Sequence, residues 1–236
     1  MRAPAEPDTP SGADQRRSER RERGRWIVAV SAGEGVGFAI ATALAVLTIG
    51  GGIDGPGRLA LAVVGGAFEG TALALGQYLG MREGHPVAWR WIAATALAGA
   101  FAWALGMLPS TAGIDLGSPV ALITIGVGGI VLLASIPVAQ WLVLARPRTF
   151  RWVPVNAGAW AVSILWTFAP SPFIDERSPI PLIVALYVVA GILMAVTFAS
   201  LTAGVARTMF FPRRDGSGQP SGARGSSTVR PDPSWP

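Results

Sequence analysis

Long apolar runs alternate with short polar segments along the whole chain. Six such runs cover residues 26–48, 58–80, 91–109, 118–145, 152–170 and 180–206. Each approaches or exceeds the ~20 residues that a helix needs to cross a hydrocarbon core of ~30 Å. The apolar residues form continuous blocks rather than one-sided stripes, which is typical of membrane spans. The pattern predicts an all-α integral membrane protein with six transmembrane helices.

Arginine placement predicts how these helices are oriented. All but two of the 19 cationic residues, Arg58 and Arg177, lie in the terminal segments 1–25 and 207–236 or in the segments 82–90 and 146–151. Cytoplasmic segments of membrane proteins are enriched in basic residues, and this bias sets the orientation. We therefore predict a multi-pass protein of the bacterial plasma membrane with both termini in the cytoplasm.

The two ends of the chain differ in composition from its apolar centre. Residues 1–24 and 208–236 are rich in Pro, Gly, Ser and charge, which predicts disordered cytoplasmic tails around a membrane domain at 25–207. The basic run at 16–23 could bind anionic lipid headgroups. Glu19 and Glu22 dilute its charge, so we favour the simpler interpretation that it enforces topology. The lipid bilayer is the predicted partner, and nucleic acid is not.

Three Arg-Trp pairs open alternate apolar runs, at Arg25-Trp26, Arg90-Trp91 and Arg151-Trp152. Trp and Arg are enriched at membrane–water boundaries, so we expect these rings at the lipid interface. The pairs divide the membrane domain into three hairpins at 25–81, 90–146 and 151–207. All three hairpins begin on the same side, which predicts a parallel-oriented repeat.

A second set of matching residues, on the return helices of the first two hairpins, supports the repeat. Gly65-Gly66 with Gln77-Tyr78-Leu79 matches Gly128-Gly129 with Gln140-Trp141-Leu142 at one constant offset. The stretch Gln140-Trp141-Leu142-Val143-Leu144, followed by Arg151-Trp152, resembles a group of uncharacterised bacterial polytopic membrane proteins that repeat such hairpins. The resemblance implies an architecture and supplies no activity.

Small residues at four-residue spacing let helices approach closely in lipid. We expect these positions to pack the helices within the chain, and the ladder of the sixth run could instead serve a homo-oligomer or a membrane partner protein. The residues are Gly33, Gly37, Gly66, Gly70, Gly191, Ala195, Ala199 and Ala203.

Composition also excludes several kinds of catalytic and metal-binding site. The chain contains no Cys and no Lys, and its one histidine is His85. Thiolate sites and Lys nucleophiles are therefore excluded, and a zinc site, which wants three or four ligands drawn mostly from His and Cys, has little material. We predict no catalytic residues, no cofactor and no metal, so the protein is not expected to be an enzyme.

Two acids interrupt the apolar runs, Glu34 and Glu69. Such residues are costly within a membrane span, so they are functional candidates. They belong to consecutive helices and could meet, as a proton-sharing or cation-binding pair, as a protonation switch, or as neutral acids that only join helices. Gln77 and Gln140, at the ends of two return helices, could bond backbone carbonyls or line an inner vestibule. We expect a small transporter or ion/proton-linked permease; the alternative is a non-catalytic scaffold or partner-binding subunit.

Overall fold

The computed structural model describes residues 12–82, 85–111, 118–175 and 177–211. This part of the chain is helical and contains no strand. The six α-helices are α1 (Gly12–Gly50), α2 (Pro56–Gly80), α3 (Ala88–Thr111), α4 (Pro119–Leu144), α5 (Trp152–Ser163) and α6 (Ile180–Phe210). Short 3₁₀ segments cover Pro147–Thr149, Ile164–Phe168 and Ser171–Phe173. The predicted all-α class is confirmed.

Five of these helices, α1, α2, α3, α4 and α6, are long and apolar enough to cross a membrane. They support the prediction of a multi-pass membrane protein. The fifth predicted span, 152–170, differs because α5 has only 12 residues and then tightens into the 3₁₀ segment Ile164–Phe168. The two parts measure about 18 Å and about 10 Å, so the run nearly spans a ~30 Å core although its regular helix does not.

The helices close into a ring that follows the order of the chain. Each helix packs against the next one, and α6 returns to pack against α1. The contacts of α2 with α1 and α3 are the most extensive of the ring. Six elements arranged in this way surround an interior, where the functional candidates lie.

Glycines set the closest approach of α2 to both of its neighbours. A Cβ at Gly37 of α1 would lie 2.7 Å from the Cα of Glu69, and one at Gly33 would overlap the backbone of Gly76 and Ala72. On the other side of α2, a Cβ at Gly66 or Gly70 would meet the backbone of α3. Any larger side chain at these positions would push the helices apart.

The ladder of small residues on α6 lies inside the ring as well. The ring of Phe38 fills the space at Gly191, and the Ser31 hydroxyl of α1 donates to the carbonyl of Ala195 at 3.4 Å. Ala199 and Ala203 are also buried. The ladder therefore packs against this chain's own helices.

Both predicted tail boundaries need correction. Helix α1 begins at Gly12, so residues 12–24 are helical rather than disordered, and α6 continues to Phe210. Arg, Gln and Glu favour helix, and the carboxylate of Glu19 pairs with Arg207 of α6 at 2.6 Å. Phe210 is buried, which explains why α6 extends past residue 207. The tail segments 1–11 and 212–236 lie outside the described residues.

Candidate functional site

A cavity of about 580 Å³ occupies the interior of the ring and is lined by side chains from all six helices. It runs from Leu73 and Met194, on the side of the Arg-Trp pairs, to Met107 and Ile183 on the other side. Its walls are mostly apolar. The lining residues that carry polar side-chain atoms are Glu34, Thr42, Glu69, Trp103, Trp160, Thr167 and Tyr187.

The two predicted acids meet at this cavity. Glu34 of α1 is fully buried, Glu69 of α2 is 9% exposed, and the two side chains line the cavity next to each other. The missing Cβ of Gly37 brings the two helices close enough for this contact. Two carboxyl groups this close cannot both be ionised unless a cation compensates them. The pair is therefore suited to bind protons, or a cation in place of a proton.

The two acids differ in how the protein supports them. Trp103 of α3 donates its indole N–H to Oε2 of Glu69 at 2.6 Å. Within the described residues, no N–H or O–H group donates to either oxygen of Glu34. No arginine is among the residues that line the cavity. Glu34 thus depends on the Glu69 carboxyl, or on a group that enters the cavity, for its hydrogen bonds.

A layer of buried polar side chains lies between the cavity and the Arg-Trp end of the ring. The Gln140 amide donates to Oε1 of Gln77 at 2.7 Å and to the Thr95 hydroxyl at 3.0 Å. In the described part of the chain, the side chain of Asn156 and the amide nitrogen of Gln77 have no hydrogen-bond partner. This polar layer consists of Gln77, Thr95, Gln140, Asn156 and Thr202, all with no exposed surface.

The three tryptophans of the Arg-Trp pairs close this end of the ring. Trp26, Trp91 and Trp152 are fully buried and pack around Phe210, with the Trp152 and Phe210 rings 5.7 Å apart. Trp152 donates to Gln140 at 2.9 Å and Trp26 donates to Thr202 at 3.2 Å. These rings therefore face the protein interior rather than the surrounding lipid. They form a tryptophan cluster (Trp26, Trp91, Trp152 and Phe210) beneath the polar layer.

The arginines of two pairs point elsewhere. Arg25 donates to the carbonyls of Leu79 at 2.8 Å and Met81 at 3.1 Å, and so caps the end of α2. Arg151 donates to the hydroxyl of Thr208 on α6. These contacts join the ends of neighbouring helices, while the adjacent tryptophans fill the interior.

Sequence reasoning missed Trp103, Trp160 and Tyr187 as part of the site. The sequence did contain a signal for which faces of α3 and α5 point inward. Thr95 follows Trp91 by four residues, and Asn156 follows Trp152 by four residues. Residues four apart share a helix face. A polar residue beside each tryptophan therefore indicated that both rings face the protein interior.

Among the described residues, no group of three or more His, Cys, Asp or Glu side chains is arranged to hold a metal ion. No protein-family model, curated protein or solved structure matches the chain.

Proposed function

We propose that this protein is a small membrane permease coupled to protons or another cation, and that Glu34 and Glu69 hold the coupling ion. The observation that supports this proposal is the position of the two acids. They face a cavity that all six helices line, rather than a closed seam between two helices. A carboxyl pair that only joined α1 to α2 would need no such space beside it.

The energetic cost of the acids supports the same proposal. An acidic residue near the centre of a span costs about 2.5–3.5 kcal/mol on insertion scales. The predicted hairpin repeat places Gly99 and Trp160 at positions equivalent to Glu34, and Leu132 at the position equivalent to Glu69. Three hairpins of similar design would therefore pack without these acids, so we assign them to function rather than to folding.

The arrangement supports access from one side only. The tryptophan cluster and the polar layer fill the interior between the carboxyl pair and the predicted cytoplasmic ends of the helices. A proton or cation would reach the pair through the cavity from the opposite side. Release to the cytoplasm then requires the rings around Phe210 to separate, as in other alternating-access mechanisms.

The scaffold alternative has less support. It depended on small-residue faces that would bind a partner, and the ladder of α6 packs within the chain. A scaffold would also leave the buried carboxyl pair and its cavity without a purpose.

Proton flux into proteoliposomes tests the proposal. The purified full-length protein is reconstituted with a pH-sensitive dye inside the vesicles, and flux is compared among the wild type, Glu34→Gln and Glu69→Gln. Glutamine has nearly the same shape as glutamate and keeps an acceptor for Trp103, so we expect folded protein and strongly reduced flux in both variants. Glu19→Gln is the matched control, because Glu19 is an exposed acid that pairs with Arg207 outside the cavity.

Folding is checked by size-exclusion chromatography and thermal unfolding in detergent. Wild-type flux no greater than that of protein-free vesicles, with a proton gradient alone and with a gradient of Na⁺ or of an organic cation added, would overturn the proposal. So would equal flux in the wild type and in both folded Gln variants.

A further inference from the structure

The cavity combines one acidic pair with walls that are largely aromatic and aliphatic. Four of the six helices contribute aromatic rings, and the aliphatic remainder comes from residues such as Leu132, Ile136 and Ile183. The Thr167 hydroxyl already donates to the carbonyl of Ile164 at 2.6 Å. The aromatic lining residues are Phe38, Trp103, Trp160, Phe168 and Tyr187.

These walls exclude several classes of solute. A hard cation such as Ca²⁺ takes six to eight oxygen ligands, and the Glu34 and Glu69 carboxyl groups together offer four oxygens, one of which already bonds Trp103. A sugar or a peptide would bury many polar groups against apolar walls without partners, which is unfavourable. An anion would meet two acids and no arginine among the lining residues. The remaining class carries one positive charge on a mostly apolar body.

We propose that the cavity binds a lipophilic, monovalent organic cation, which exchanges for a proton of the Glu34–Glu69 pair. This inference rests on the proposed permease function and names its substrate class. Aromatic rings attract organic cations through their negative faces, and a carboxylate supplies the compensating charge. A volume of about 580 Å³ also falls within the roughly 300–1,000 Å³ of small-molecule pockets.

The exchange conserves charge inside the membrane. When both carboxyl groups are protonated, the pair is neutral. Entry of one cation and departure of one proton to water leave one carboxylate beside the cation, so the cavity stays neutral and buries no uncompensated charge. Tyr187 of α6 also lines the cavity. The stoichiometry is one proton released for each cation bound.

Tetraphenylphosphonium is a suitable probe, because its single charge is surrounded by four aromatic rings. Binding of the radiolabelled cation to the purified full-length protein is measured by equilibrium dialysis. Calorimetry in two buffers with different protonation enthalpies counts the protons released. We expect saturable binding of one cation per chain, weaker binding at acid pH and release of about one proton, as the exchange requires.

Variants locate the bound cation. Glu34→Gln and Glu69→Gln should each weaken binding by about tenfold or more, because each removes one of the two carboxyl groups that share the negative charge beside the bound cation. Trp160→Leu should weaken binding while Trp89→Leu does not, because Trp89 is 66% exposed and lies outside the cavity. Tyr187→Leu repeats the test on another helix if loss of the Trp160–Phe198 ring contact prevents folding.

The outcomes separate this inference from the proposed function. Carboxyl-dependent proton flux without saturable tetraphenylphosphonium binding would overturn the substrate class and leave the permease proposal standing. Binding that persists in both Gln variants would also overturn the inference, since the cation would then lie elsewhere. Carboxyl-dependent binding without any proton flux, even when a gradient of the cation is imposed across the vesicle membrane, would support the cation site and contradict the permease.

Discussion

The seam between α1 and α2 makes the sharpest test of how the carboxyl pair is positioned. A Cβ at Gly76 would lie 2.5 Å from the carbonyl oxygen of Ala29 and 3.1 Å from the Cα of Gly33. Both contacts are with backbone, so no flexible side chain can turn away. For Gly76→Ala the two helices must separate, and overpacking of this kind costs about 1–3 kcal/mol. Alanine also gains about 1 kcal/mol of helix propensity, so we expect a net loss of up to about 2 kcal/mol in the free energy of unfolding.

Gly126→Ala is the matched control for this substitution. Gly126 lies within α4, and a Cβ there would meet nothing within 4 Å. Only the gain in helix propensity remains, so the free energy of unfolding of this variant should be unchanged or up to about 1 kcal/mol higher. Unfolding in mixed detergent micelles, followed by tryptophan fluorescence, measures both. If the free energy of unfolding shifted in the same direction in both variants, the close approach of α1 and α2 at Gly76 would be refuted.

Two further predictions concern the polar layer and an exposed loop. Gln140→Leu leaves the indole of Trp152 and the amide oxygen of Gln77 without their hydrogen-bond partner. The free energy of unfolding, measured in the same way, should therefore fall by about 1–3 kcal/mol. An unchanged unfolding midpoint would contradict this hydrogen-bond network. In the loop before α6, hydrogen bonds from the Ser178 hydroxyl and from the Arg177 backbone lower the pKa of Asp175. A lowered pKa means that this stabilisation is present above the ordinary pKa and is lost as the pH falls through the lowered one. Ser178→Ala should therefore raise the Asp175 pKa toward its ordinary value in a carboxyl NMR titration, and no change would refute the assignment.

The helices themselves were predictable, because long continuous apolar runs leave few alternatives in a membrane. The exception is the fifth run. Its apolar length predicted a full span at 152–170, but the backbone tightens to 3₁₀ geometry after Ser163, whose hydroxyl donates to the carbonyl of Ala159 at 2.7 Å. Hydroxyl groups of this kind compete with the regular helical hydrogen bonds. Apolar length reports that a segment is buried in the membrane but not which helical geometry it adopts.

The direction of the tryptophans was not predictable from their position alone. An Arg-Trp pair at the start of an apolar run fixes depth along the membrane normal, whereas rotation about the helix axis depends on neighbouring helices. Glycine contacts set that rotation here, since Gly66 and Gly70 fix the register of α2 against α3 and bring Trp103 to Glu69. The meeting of Glu34 and Glu69 was foreseeable because consecutive hairpin helices are neighbours. The indole that supports Glu69 belongs to the next hairpin and was not foreseen.

The ring gives the predicted hairpin repeat a consequence for function, although the repeat itself stays a prediction. Glu34, Gly99 and Trp160 are its equivalent positions on α1, α3 and α5, and all three line the same cavity. In a ring that follows chain order, equivalent positions of successive hairpins face one interior. The first hairpin then supplies charge, the second supplies space and the third supplies an aromatic surface. Substitution of Glu34 or Trp160 would therefore change what the cavity binds. A Cβ at Gly99 would in addition lie 2.5 Å from the carbonyl oxygen of Gly66, so substitution there would also push α3 away from α2.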